Sequence, residues 1–354
     1  MNIEIDKSIF DAIGSSKASM DDFTYLTTIA KRRNYTVSVS PSIESKDFGK
    51  LDLFNRLSLT YLIKDEYDQQ PKHRKSDCIV MLNGEAELND RIFSLNEACT
   101  YANSTAIILM ENDTNDGLFI RAVERFFESQ INFEDLLMYN NVDIRHSGGS
   151  DCKRRVDYLL SKHKGIPKFL RCLAIVDGDK RYPTDTTFEN YSKQQETNSN
   201  SDAFYLKQQG VSYFVLKKRS LENYLPDEVY DNNRQSFGDE WVNAYLQLTP
   251  LQKDYYYIAE GFYKDIPKAN KEKGELGFDK LPQGVQALFL DVSEGNYQHL
   301  LHGPNLHGSF KSEFPKFFND PHMCKTALQN RVSHPHSADP DELIHIVEEI
   351  RQLL

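Results

Sequence analysis

Apolar positions change their spacing along this chain, and the changes divide it. Up to about residue 100 the texture is mixed. "NYTVSVS" (34–40) is β-rich, "LFNRLSLTYLIKDEY" (53–67) spaces its apolar residues as a helix does, and "SDCIVMLNG" (76–84) reads as a strand ending at Asn-Gly. The polar run "DEYDQQPKHRKSD" between them reads as a loop. No chemical motif stands out in this region.

From 101 to 232 strand and helix alternate. "STAIILME" (104–111) is a buried strand, and "DGLFIRAVERFFES" (116–129) is an amphipathic helix behind it. "EDLLMYNNVDIRHSGG" (134–149) carries a strand into a Gly-Gly turn, and "SDCKRRVDYLLSKH" (150–163) is the next helix, with Ser150 as its N-cap. "FLRCLAIVDGD" (169–179) and "GVSYFVLKKRSLENYLP" (210–226) supply two further strands. Strands alternating with helices of this length predict βαβ units and a parallel α/β sheet flanked by helices. The Asn/Ser-rich stretch "TDTTFENYSKQQETNSNSDAFYL" reads as a surface loop. After residue 233 the pattern is mainly helical and closes on "DPDELIHIVEEIRQLL", where Asp339 or Asp341 can cap the last helix. The plan is an N-terminal α/β extension (1–100), a central sheet domain (101–232) and a C-terminal helical region (233–354), in keeping with two or three cores in 354 residues.

Composition narrows the function. The formal net charge of −11 argues against coating nucleic acid by bulk electrostatics, so binding it requires a local basic patch, a metal or a partner. The five scattered cysteines form no C-x-x-C pair and read as reduced thiols. Without an apolar run of eighteen residues or a secretory pattern at the start, the expectation is a soluble cytoplasmic protein with no membrane contact. No G-x-x-x-x-G-K-[ST] and no G-x-S-x-G occurs, so neither an ATPase nor a serine hydrolase is encoded here.

Candidate chemistry lies at the strand ends, where open parallel sheets bind ligands. "IILMEND" places Glu111 at the rim, with Asp113 and Asp116 following; "AIVDGD" places Asp177 and Asp179; "KKRSLEN" places Glu222 beyond a Lys-Lys-Arg run. Gathered carboxylates repel one another unless cations neutralise them, and all-oxygen donors suit Mg²⁺ or Mn²⁺. In D-x-D past a strand end both side chains can reach one cation site, with glycine allowing close backbone approach. A pair of such ions serves phosphodiester hydrolysis. Lys217, Lys218 and Arg219 could meet the phosphates, whereas Lys153, Arg154 and Arg155 read as a charged surface. Plainer readings stand beside these: Glu111 as a helix cap, D-G-D as a solvated turn, and Glu222 within a structural ion-pair network. His322, Cys324, His334 and His336 could in principle hold zinc, although their spacing matches no zinc pattern.

The order of these segments resembles the TOPRIM domain of primases, topoisomerases and OLD-family nucleases, over residues 104–230. "LMENDTNDGLFIRAV" is similar to the OLD-type acidic opening, "HSGG" plus helix to the turn after the second strand, "VDGD" to the aspartate motif, and "KKRSLENYLP" to the basic R-x-x-E-N-Y segment of small bacterial defence proteins. Asn112 stands where the family has glycine, and Asp116 lies one residue further on than usual, with Asp113 the competing position. The resemblance implies Glu111, Asp177 and Asp179 as catalytic and metal-holding acids, with Asp116 and Glu222 as further metal ligands; in the mechanism expected from the residues, Lys218 is the catalytic cation, with Lys217 or Arg219 able to orient the scissile phosphate in its place. It also implies Mg²⁺ or Mn²⁺, a nucleic-acid substrate, an anti-phage defence role and a separate ABC-type ATPase or sensor partner. A homo-oligomer is compatible with all of this. A non-catalytic regulatory subunit that keeps the sheet is the competing expectation.

Overall fold

The computed structural model describes the chain except residues 34, 70–77, 82–90, 112, 129–131, 148–151, 164, 186–198, 305 and 307–309; the side chains of 64–69, 113–115, 199–201, 311 and 312 also lie outside the description. The Gly-Gly turn, the Ser150 cap and most of the Asn/Ser-rich stretch therefore fall outside the described residues. The part of that stretch that is described is not all loop, because Ser199–Gln208 is a helix.

Two four-stranded parallel sheets organise the molecule. The first comprises β1 (Asn2–Ile5), β2 (Thr36–Val39), β3 (Cys78–Val80) and β4 (Ile92–Phe93), in the order β2-β1-β3-β4. The second comprises β5 (Ala106–Met110), β6 (Val142–His146), β7 (Cys172–Val176) and β8 (Ser212–Val215), in the order β6-β5-β7-β8. Both sheets place their first strand inside, with the second strand on one flank and the third and fourth on the other. β1 is too short at four residues to announce itself by periodicity, yet it pairs on both edges in the N-terminal sheet. Ile3, Phe10, Phe23, Val37 and Phe93 close a separate core around that sheet.

All five residues of β5 are buried, as expected of an inner parallel strand covered on both faces. Alternation assigns the faces. Ile108, Met110, Leu173 and Ile175 point into one core, and Ile107, Leu109, Cys172 and Ala174 point into the other, against the helices Cys152–Lys162 and Ser199–Gln208.

The C-terminal helical region shares a core with the second sheet: Tyr230, Trp241, Tyr256, Phe314 and Ile346 belong to the same continuous cluster as the first face of that sheet. The terminal helix Glu342–Leu353 presents Leu343, Ile346, Val347 and Ile350 to that core at helical spacing, and Arg351 pairs with Glu128 on the helix Asp113–Phe127 and its exit. Asp341 occupies its N-cap position without a side-chain capping bond. Asp339 instead accepts from the Asp341 backbone N–H at 3.1 Å and pairs with His345. Buried Arg171 joins the parts: its guanidinium donates to the Tyr35 hydroxyl at 2.8 Å, and to the carbonyls of Ser104 and Leu354 at 2.9 Å each. Among the described residues no helix is long and apolar enough to cross a membrane.

Candidate active site

The second sheet brings its carboxyl ends to one rim. Met110 of β5 is level with His146 of β6, and Val176 of β7 with Val215 of β8, so the residues that follow leave the sheet together. Glu111 follows β5, and Asp116 sits in the first turn of the helix Asp113–Phe127. Asp177, Gly178 and Asp179 follow β7, and Glu222 lies in a single 3-10 turn, Leu221–Tyr224, beyond β8.

Asp177 shows that these acids share one field. Burial drives its carboxyl well above the usual carboxylate range, and the charges of Glu222, Asp179, Glu111 and Asp116, in falling order, push it further. The hydrogen bond that reaches it, from the Leu221 backbone N–H to Oδ1 at 3.1 Å, does not offset four like charges. Four acids spread over more than a hundred residues of sequence thus act on a fifth, and an all-carboxylate donor set fits Mg²⁺ or Mn²⁺. Among the described residues no three His, Cys, Asp or Glu side chains stand close enough to hold one ion as they are placed.

The glycine of D-G-D is explained by contact. A Cβ on Gly178 would lie 2.3 Å from the Lys218 carbonyl oxygen and 2.6 Å from that of Leu216, both backbone atoms that cannot swing aside. Asp179 then turns with φ +55° and donates its N–H to the Arg219 carbonyl at 2.8 Å. The acidic loop is therefore pressed against the segment leaving β8. Gly178→Ala is expected to cost about 3 kcal/mol, the upper end for overpacking, read as a lower urea midpoint. An unchanged midpoint would mean that the loop stands off from that segment.

The basic run does not serve as expected. Lys217 is exposed, with its backbone N–H donating to Glu342 at 2.7 Å. Lys218 is only 2% exposed and its ammonium is bound by Asp254; burial, then the Arg331 charge, lower its pKa to about 8. Arg219 is also buried and forms a two-pronged pair with Asp265 at 2.7 Å on each arm. Phosphate contact by Lys218 or Arg219, and a catalytic role for Lys218, are corrected by this arrangement, because both cations are committed to interior carboxylates.

The rest of "KKRSLENY" is a structural knot. Asn223 is fully buried and satisfied: its amide donates to the carbonyls of Lys253 at 2.7 Å and Tyr256 at 2.8 Å, and its Oδ1 accepts from Ser220. Tyr224 donates its hydroxyl to Glu342 at 2.6 Å, clasping the terminal helix. From this motif it is the Glu222 charge that weighs most on Asp177, and Tyr257 lies in the same field, with the Arg219 guanidinium 4.8 Å from its ring centroid.

Three groups at the rim were not anticipated as site residues. Asp202 of the helix Ser199–Gln208 feels Asp179 and Glu111; burial chiefly raises its carboxyl to about 6, while Lys153 pulls the other way. Lys153, in the first turn of the helix Cys152–Lys162, is partly exposed, with its Nζ 5.9 Å from the Tyr205 ring centroid. His146, at the end of β6, donates from Nδ1 to the Glu111 carbonyl. Asp202 lay hidden in a polar stretch, and Lys153 in a run of basic residues that at a helix start suits an anion partner but reads more simply as a charged surface. The histidines and thiol considered for zinc have other partners: His334 is bound to Asp254 at 2.7 Å and accepts from the His336 backbone N–H at 3.3 Å, His322 is bound to Asp320 at 2.8 Å, and Cys324 caps the helix Lys325–Val332. The Asp113 side chain lies outside the described residues.

No protein-family model, no curated protein and no solved structure matches this chain.

Proposed function

We propose that this protein is a divalent-metal-dependent nuclease built on a TOPRIM-like sheet. The observation that carries the reading is the convergence of Glu111, Asp116, Asp179 and Glu222 on Asp177, at the rim where parallel sheets bind ligands. Glu111, Asp177 and Asp179 are the acids that would hold Mg²⁺ or Mn²⁺, supported by Asp116 and Glu222. Such ions, when bound, supply the Lewis acidity and water activation that phosphodiester hydrolysis requires.

The chain's own groups supply the rest. Gly178 and the knot around Asn223 fix the acidic loop against β8, so the donors are held before substrate arrives. Lys153 stands among the acids and takes the phosphate-orienting part that Lys218 does not play, while exposed Lys217 can follow the strand backbone. With a net charge of −11, the protein needs these local cations, and a separate ABC-type ATPase or sensor of the kind found with OLD-like defence nucleases would complete the system. A cytoplasmic setting suits that role.

The competing reading is a regulatory subunit that keeps the sheet and binds cations without cleaving. Incubation with plasmid, single-stranded DNA and tRNA in Mg²⁺ or Mn²⁺ separates the two. The nuclease reading expects cleavage by the parent chain, none in EDTA or by Asp177→Ala, and roughly 10²-fold slower cleavage by Lys153→Gln with folding intact. Cleavage by Asp177→Ala at the parental rate would refute it. A Mn²⁺-induced rise in Tm with every substrate untouched would establish the regulatory reading instead.

A further inference from the structure

A cavity of about 840 Å³ opens between the helix Asp113–Phe127, the short helix Phe133–Met138 and the outer strand β6, and no acid of the candidate active site lines it. Its volume is that of a small-molecule site. The polar groups around it are mostly answered within the protein. Glu128 is paired with Arg351, Arg121 with Glu134, and Asp143 with Arg145.

Two groups are not answered in that way. Glu124 lines the cavity with a side chain only 3% exposed, and its Oε1 has no hydrogen-bond partner among the described residues. A buried carboxyl left in that condition costs stability unless something else uses it. Arg125 also lines the cavity. Its guanidinium lies 4.6 Å from the Phe126 ring centroid and reaches the Phe318 carbonyl at 3.4 Å, and no carboxylate pairs with it among the described residues. The cavity thus retains one carboxyl in need of a donor and one guanidinium in need of an anion, between apolar walls such as Phe133 and Ile144 and the amides of Asn140 and Asn319.

We propose that this cavity binds an adenine nucleotide, with the base edge against the Glu124 carboxyl, the phosphate at Arg125 and the sugar among the asparagine amides. Burial, then the Glu128 charge, raises the Glu124 carboxyl to about 8, so it is protonated at neutral pH. A protonated carboxyl offers one donor and one acceptor side by side. Adenine answers with the N1 acceptor and the N6 amino donor. Guanine presents two donors there and would need the ionised carboxylate that burial opposes. A planar guanidinium suits phosphate, and the apolar walls suit the faces of a two-ring base.

Titration calorimetry on the full chain without divalent cations, using AMP, GMP, CMP, adenosine and inorganic phosphate, tests this. AMP is expected to saturate the site and to bind at least about tenfold tighter than GMP, adenosine and inorganic phosphate, the step that one good hydrogen bond supplies; CMP, whose N3 acceptor and N4 amino donor match the same carboxyl, should bind more weakly than AMP through the smaller face of its single ring. Glu124→Leu should weaken AMP by about tenfold or more. Glu124→Gln, whose amide keeps a donor beside an acceptor, should stay within about threefold of the parent. Arg125→Ala should bring AMP down to the adenosine level and leave adenosine unchanged. Asp177→Asn should bind AMP as the parent does, which separates this site from the nuclease reading. Lack of saturation by AMP, parental binding by Glu124→Leu, a preference for GMP or CMP, or equal binding of phosphate alone would each overturn the assignment.

Discussion

Asp177→Asn is expected to be more stable than the parent chain when divalent cations are absent. The parent buries a carboxyl that four neighbouring acids disfavour in its charged form, and its one backbone donor does not offset them. An amide of nearly the same shape removes that charge, and a gain of roughly 1–3 kcal/mol, or a few degrees in Tm, is the range for relieving an uncompensated buried group. The sign with pH follows from linkage. A carboxyl raised on folding contributes stability that is complete below its ordinary range and is lost as pH climbs toward its folded value. The parent should therefore lose Tm as pH rises above the ordinary carboxylate range, and the variant should lose less. Glu124, raised to about 8, and Glu342, raised to about 7, chiefly by burial in both cases, leave a residual slope in both proteins. Added Mn²⁺ should raise the parental Tm at pH 8 and leave the variant unmoved. A variant that melted below the parent in EDTA would show that the Asp177 charge is satisfied in the native protein.

Asp254→Ala should be the most damaging substitution away from the rim. One carboxylate receives the Lys218 ammonium, Arg331 Nη1 at 2.6 Å and His334 Nε2 at 2.7 Å, with both partners on Oδ1 only 2% and 7% exposed. Burial alone would raise its carboxyl, yet His334, Arg331 and Lys218 hold it far below the ordinary range. Arg331 Nε and Nη2 have no other partner among the described residues. Deleting the acid strands two interior cations, at a cost of about 3–5 kcal/mol, and frees the segment that presses on Gly178. Lys218, already lowered to about 8, can shed its proton, so the deficit should shrink as pH rises from 7 to 9. Urea titrations at the two pH values measure it; a loss below about 1 kcal/mol would mean that the cluster is solvated.

Much of this was legible in the chain. Buried strands show as apolar runs, so β5, β7 and β8 announce themselves, and a parallel sheet then fixes where Glu111, Asp177 and Glu222 must emerge. The close approach that demands Gly178 follows from the same logic. The fate of the cations was not legible, because the acids that bury Lys218 and Arg219 are Asp254 and Asp265, 36 and 46 residues further on in a region that reads only as helix. Pattern marks those helices as amphipathic but does not say that their apolar faces join the sheet in one core. β1 was missed because four residues give too short a period, and Asp202 because a polar stretch does not reveal what its end touches.

Mn²⁺ affinity, measured by electron paramagnetic resonance on the parent and on Glu111→Gln, Asp177→Asn and Glu222→Gln, tests the convergence most directly. The account predicts that these three substitutions, at positions 66 and 45 residues apart in turn, each weaken the same ion or ion pair by at least about tenfold while the variants stay folded. Parental Mn²⁺ binding in any two of them, or no Mn²⁺ binding by the parent, would contradict it.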